Sequence, residues 1–193
     1  MNKIGGIVMD DLVIVDCQYD FIDGTLACGH SHEAVEELVR FVNCHPVRVL
    51  YTSDWHSPSN GSFKVNGGIW PVHCVAGTKG AELDPLFGKE IENPLNRPSS
   101  ANRFLKGQND EVEEYSAFYG VNGEGKKLFD AVSSHVYVGG IASEYCVKET
   151  VLSLLASGRS VTLLVKGLGY VSEADHEKTL KELKEKGVTL LEE

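Results

Sequence analysis

Val138-Gly139-Gly140-Ile141-Ala142-Ser143-Glu144-Tyr145-Cys146-Val147 reads as the end of a strand, a tight turn and the start of a helix. The run from Val136 to Val138 is rich in β-branched residues, and the two glycines that follow let the chain reverse sharply. Beyond the turn, Val147, Val151, Leu154 and Leu155 fall on one helical face. A buried strand feeding an amphipathic helix is half of a βαβ unit. The pattern recurs outward in both directions. Leu12–Val15, Val47–Tyr51, Val161–Val165 and Val188–Leu191 are further apolar runs too short for buried helices. Between them Ala34, Val35, Leu38, Val39 and Val42 share a helical face, and Ala174–Lys186 is a charged amphipathic stretch stopped by Gly187. Strands alternating with helices predict an α/β three-layer sandwich: a mostly parallel twisted sheet with helices on both faces.

At 193 residues the chain suits a single domain spanning 1–193. One excursion, at about 54–100, breaks the alternation. It is rich in Gly, Pro, Asn and Ser, and so long an irregular stretch in a compact domain is usually functional. With 18 basic against 28 acidic residues, the net charge of −10 argues against nucleic-acid partners and anionic membranes. No apolar run is long enough to span a bilayer. Met1–Asp10 lacks the pattern of a signal peptide, so the expected location is cytoplasmic. The cysteines, Cys17, Cys28, Cys44, Cys74 and Cys146, contain no C-x-x-C pair, and packing is the default role for four of them.

Four segments carry chemistry-bearing residues. Asp16 ends the first apolar run, where a carboxylate opens onto the ligand crevice of a parallel sheet or simply caps a turn. Asp54 and His56 follow the second run, two apart and therefore on one side of an extended chain; His73 comes later in the excursion. One carboxylate and two imidazoles suit Zn²⁺, Fe²⁺ or Mn²⁺, although spacing alone does not separate a site from chance proximity. Cys146 falls at a helix start, where backbone N–H groups favour a reactive thiolate over an inert core thiol. Lys106, before Gly107, sits at a strand end and becomes catalytic only if an Asp and a Cys lie nearby. One motif is a decoy. Gly120–Lys126 matches G-x-x-x-x-G-K, but Lys127 replaces the Mg²⁺-binding hydroxyl and no strand leads in.

Taken together, VDCQYDF, SDWH, WPVHCVAGT, LKG, YSAF and GIASEYCVKET resemble the motifs of the nicotinamidase (pyrazinamidase) branch of the isochorismatase-like cysteine hydrolases, in family order, from position 15 to 150. The resemblance implies an isochorismatase-like, Rossmann-like topology and a catalytic triad of Asp16, Lys106 and Cys146. It also implies an oxyanion hole from the backbone N–H groups of Ala142 and Cys146, behind a cis Ile141–Ala142 peptide. One divalent metal, Zn²⁺ first and Fe²⁺ or Mn²⁺ next, would sit on Asp54, His56 and His73. Phe21, Trp70, Tyr115 and Ile141 would contact a small pyridine carboxamide, hydrolysed to a carboxylate and ammonia in NAD salvage. A homo-oligomer fits the family.

Two departures stand out. Asn60 and Ser57 replace a His and a Pro of many relatives, leaving three protein ligands, with water or Asn60 acting through water to complete the shell. Lys166-Gly167-Leu168-Gly169 replaces a D-A pair, in a region expected to help shape an edge or a subunit contact. The rivals are an amidohydrolase of another small amide or ureide, and a non-catalytic metal-binding scaffold. Relatives acting on non-pyridine amides generally lack the Asp/His/His set. The intact Asp16/Lys106/Cys146 set opposes a silent scaffold, and an isochorismatase would not use the cysteine.

Overall fold

The computed structural model describes residues 3–4 and 7–192. The signal-peptide reading of Met1–Asp10 falls partly outside the described residues. Six strands form one sheet: β1 (Asp10–Val15), β2 (Val47–Asp54), β3 (Arg103–Lys106), β4 (His135–Gly140), β5 (Ser160–Leu168) and β6 (Thr189–Leu191). Their order is β3-β2-β1-β4-β5-β6, and every pairing in it is parallel.

Alternation within β1 divides the core. Leu12 and Ile14 face α1 (Ser31–Cys44), packing with Val35, Leu38, Phe41 and Val42. Val13 and Val15 face the other way, into a cluster with Val147, Val151, Leu154 and Leu183. That second layer is built by α2 (Lys148–Ala156) and α3 (Glu173–Glu185). Strands covered on both faces read as continuous apolar runs, which is why β1, β2, β4 and β5 stood out in the sequence. Strand β3 did not. It is four residues of alternating burial at the sheet edge, and its signal was only the expectation of a lysine at a strand end.

Residues 166–168 end β5: its pairing with β6 covers Thr162–Leu164, and Leu168 pairs with Gly140 of β4. Leu168 and Gly169 are buried, and Gly169 N–H donates to Gly140 O. A side chain at 169 would meet Ile141 and the Gly29 carbonyl, so the backbone packs there without one. The excursion contains only single turns, Lys64–Asn66, Lys79–Ala81, Leu86–Lys89 and Pro94–Asn96, anchored by the fully buried Phe63 and Phe87. The decoy loop is a turn in which Asn122 receives the N–H groups of Glu124 and Lys126, followed by the one-turn helix Leu128–Ala131. No helix among the described residues is long and apolar enough to cross a membrane.

Candidate active site

Strand order reverses on either side of β1, and a crevice opens there beyond the carboxyl ends of the strands. Asp16 follows β1, Asp54 ends β2, Lys106 ends β3, and Cys146 lies just past β4. Residues far apart in sequence therefore converge because parallel strands all point their carboxyl ends the same way.

Lys106 sits at the centre, 4% exposed. Its Nζ lies 2.9 Å from Asp16 Oδ2, 2.5 Å from Asp54 Oδ1 and 3.5 Å from Cys146 Sγ. Thr52 Oγ1 donates to Asp16 Oδ1 at 2.6 Å, while Asp16 Oδ2 has only the ion pair and no directed hydrogen bond. A carboxylate oxygen of Asp16 lies within 4.8 Å of Cys146 Sγ. Burial works against the Lys106 ammonium, but Asp16 and Asp54 outweigh it and raise its pKa well above the usual value. Burial also raises the Asp16 carboxyl, against the pull of Lys106. Asp54 is buried too, yet Lys106 and His56 hold its carboxyl well below the usual range. Burial, with Asp16 and Asp54 near, pushes the Cys146 thiol well above its ordinary value despite Lys106. Burial and the two carboxylates therefore oppose ionisation of the Cys146 thiol.

The turn carrying Cys146 is wider than an α-turn. Val147 N–H reaches back five residues to Ala142 O at 3.1 Å, and regular helix begins only at Lys148. Such widened turns recur at functional sites. The Ile141–Ala142 peptide is cis. Ala142 N–H donates to no group among the described residues.

Asp54, His56 and His73 form a second cluster, their ligand atoms all within 4.8 Å of one another. Nε2 of His56 and of His73 lie 3.6 and 3.9 Å from Asp54 Oδ2. Each ring is turned by its other nitrogen: Nδ1 donates to Gly107 O for His56 and to Pro71 O for His73, both at 2.7 Å. That arrangement leaves both Nε2 atoms as acceptors on the side of Asp54, the second-nitrogen bonding that metal-ligating histidines use. The donor set fits a divalent ion. Asn60 does not join the cluster; it is buried behind it, sharing Gly107 O with His56 at 3.3 Å.

Between the two clusters lies a pocket walled by Phe21, Trp70, Tyr115, Tyr145, His73 and Cys146 among others. Trp70 packs edge-on to Tyr145 with centroids 5.0 Å apart and donates through Nε1 to Tyr115 Oη at 3.1 Å. Ile141 is not in the wall; its side chain is fully buried in the core below. Cys28 is in the wall, its thiol pushed up to about 12 by burial. Cys17 and Cys74 are fully buried and burial raises both thiols, in keeping with packing.

Several participants escaped the sequence reading. Thr52 reaches Asp16 only because β2 lies beside β1. Gln18 grips Asp54 by its backbone, accepting from its N–H at 2.7 Å and donating to its carbonyl at 2.9 Å. Phe63 packs edge-on against both histidine rings, at 5.4 and 5.3 Å. Tyr145 stood inside the quoted motif, but nothing in the residue string says that it faces the pocket.

The family model for the isochorismatase domain matches residues 11–193. The nicotinamidase of Escherichia coli (strain K12) is 34% identical over 181 residues, covering 81% of each chain. The crystal structure of the pyrazinamidase of Pyrococcus horikoshii in complex with zinc superposes with a TM-score of 0.78 at 31% identity, covering 96% of this chain and 100% of that one. The yeast nicotinamidase bound to the inhibitor nicotinaldehyde superposes with a TM-score of 0.79 at 26% identity, over 96% of this chain and 100% of that one.

Proposed function

The chain belongs to the isochorismatase-domain family, and on that premise we propose that it is a metal-dependent nicotinamidase, a single domain over 1–193 converting nicotinamide to nicotinate and ammonia in NAD salvage. The observation that carries this reading is the Lys106 ammonium, shared between Asp16, Asp54 and Cys146 at 2.9, 2.5 and 3.5 Å. It joins a thiol–carboxylate pair to a His/His/Asp cluster across one aromatic-walled pocket.

Cys146 Sγ attacks the carboxamide carbon as its proton passes to Asp16. The carbonyl oxygen takes up the negative charge and is held by the N–H groups of Ala142 and Cys146; one such donor is worth about 3 kcal/mol of barrier. The tetrahedral species collapses to a thioester, and Asp16 returns the proton to nitrogen so that ammonia leaves. Water then attacks the thioester carbon, giving its proton to Asp16, which restores the thiol as the acid departs. Lys106 keeps Asp16 ionised between these steps.

Asp54, His56 and His73 would hold the divalent ion, Zn²⁺ in the first instance. When bound, the ion offers a Lewis-acid contact for the ring nitrogen and so orients the substrate. Phe21, Trp70 and Tyr115 present apolar faces and edges to a flat ring, while the carboxamide end meets Cys146. The test is ammonia release from nicotinamide and from benzamide, before and after chelation. Chelator-sensitive turnover of nicotinamide with benzamide far slower is the expected result. No release from either by the zinc-loaded protein would sink the proposal.

A further inference from the structure

We propose that Glu114 is a positioning residue that holds Lys106 and, through Gly107, the metal ligand His56 in one frame. Its main-chain carbonyl accepts from Lys106 Nζ at 3.2 Å, and its carboxylate Oε2 accepts from Gly107 N–H at 2.9 Å. One residue thus grips the lysine by its side chain and by the peptide that follows it. The Gly107 carbonyl then accepts from His56 Nδ1 at 2.7 Å, which sets the direction of the ring.

Gly107 explains why an outside clamp is needed. Its φ is +68°, and a Cβ there would lie 2.4 Å from His56 Cε1 and 2.7 Å from Nδ1. No side chain fits, so the backbone itself must approach the imidazole. Glycine, however, populates positive and negative φ almost equally. The carboxylate of Glu114, bonded to the Gly107 N–H, removes that freedom. Around the ammonium stand the Asp16 and Asp54 carboxylates, the Cys146 sulfur and the Glu114 carbonyl. That carbonyl remains in any side-chain variant, but its place at Nζ depends on the Glu114 carboxylate's bond to Gly107 N–H, and loss of that bond lets the carbonyl and Nζ drift apart. Glu114 therefore acts on the metal side and on the thiol side at once, although it is neither a ligand nor a proton carrier.

Only the kinetic arm of the test rests on the nicotinamidase reading. Zinc affinity is measured by competition with a chromophoric chelator, and kcat and KM for nicotinamide at saturating zinc. In Glu114→Ala zinc binding should weaken about tenfold or more, the range for a lost outer-shell partner. Its kcat should fall while KM stays near that of the unaltered protein. Glu114→Gln keeps an amide oxygen for the Gly107 N–H and should restore both. Zinc affinity and kcat within about twofold of the unaltered protein in Glu114→Ala, on the scale of that tenfold expectation, would overturn the proposal. So would equal impairment of Glu114→Gln, which would make the charge, not the clamp, responsible. Should Glu114→Ala fail to fold, Glu114→Asp serves instead: its carboxylate falls a methylene short, so zinc binding should weaken equally, and unaltered affinity would overturn the proposal. If the protein turns over no nicotinamide, the zinc comparison still decides on Glu114.

Discussion

The turn after β4 and the excursion between β2 and β3 each deliver key residues to the same pocket, by opposite means. Cys146 is positioned by backbone alone: a strand end, two glycines, a five-residue reach from Val147 N–H to Ala142 O, then regular helix. His73 has no regular element beneath it. Asp20, from the far side of the site, accepts from Cys74 N–H at 2.7 Å, Thr25 Oγ1 donates to Val72 O at 2.7 Å, and Phe63 fills the space under both imidazoles. A position held by local geometry depends on few partners. One held by several long-range ties depends on all of them, and its loss is graded.

Substitutions can break this contrast, beginning with the largest effect. Cys146→Ala should abolish ammonia release, on the order of 10⁴-fold in kcat, while zinc binding measured by chelator competition stays intact. Normal turnover would remove the nucleophile from the proposal. His73→Ala should do the reverse, weakening zinc binding by more than about 100-fold while Cys146 remains as alkylatable as before. Stoichiometric metal after that change would show that the ligand set is different.

The graded ties come next. Asp20→Ala removes a carboxylate from the Cys74 N–H and, at 3.3 Å, from the Thr25 N–H. A charged hydrogen bond of this kind contributes about 1.5–3 kcal/mol, so zinc affinity should drop about tenfold and the melting temperature should fall with it. Thr25→Ala cuts a tie at the exposed rim, where water replaces the hydroxyl; about 0.5 kcal/mol and a barely measurable change in zinc affinity are expected. If Thr25→Ala matched Asp20→Ala, the loop would be held from its rim rather than from beneath.

Much of the scaffold was legible because burial on both faces writes itself into β-branched runs. β1, β2, β4 and β5 announce themselves, and Asp16, Asp54 and Cys146 stand at or just beyond their ends. β3 was faint, since four alternating residues at an edge carry little signal. The metal-ligand spacing was compatible with a site but did not require one: His56 and His73 are aimed by the carbonyls of Gly107 and Pro71, and a carbonyl has no letter of its own. Ile141 shows the converse. Adjacent to Ala142 in the motif, it points into the core, because neighbouring side chains leave the backbone in different directions.

The sequence by itself determined the alternation of strands and helices and the residue types that stand at the strand ends. Both follow from short-range rules, periodicity and turn chemistry, that act within a few residues of chain. Only the tertiary structure decided that one ammonium serves both Asp16 and Asp54, that Thr52 holds the Asp16 carboxylate and Gln18 the Asp54 backbone, and that Glu114 closes on Gly107. Those contacts depend on which strands lie side by side and where each loop returns. They are set by the packing of the whole sheet, which no local stretch of sequence contains.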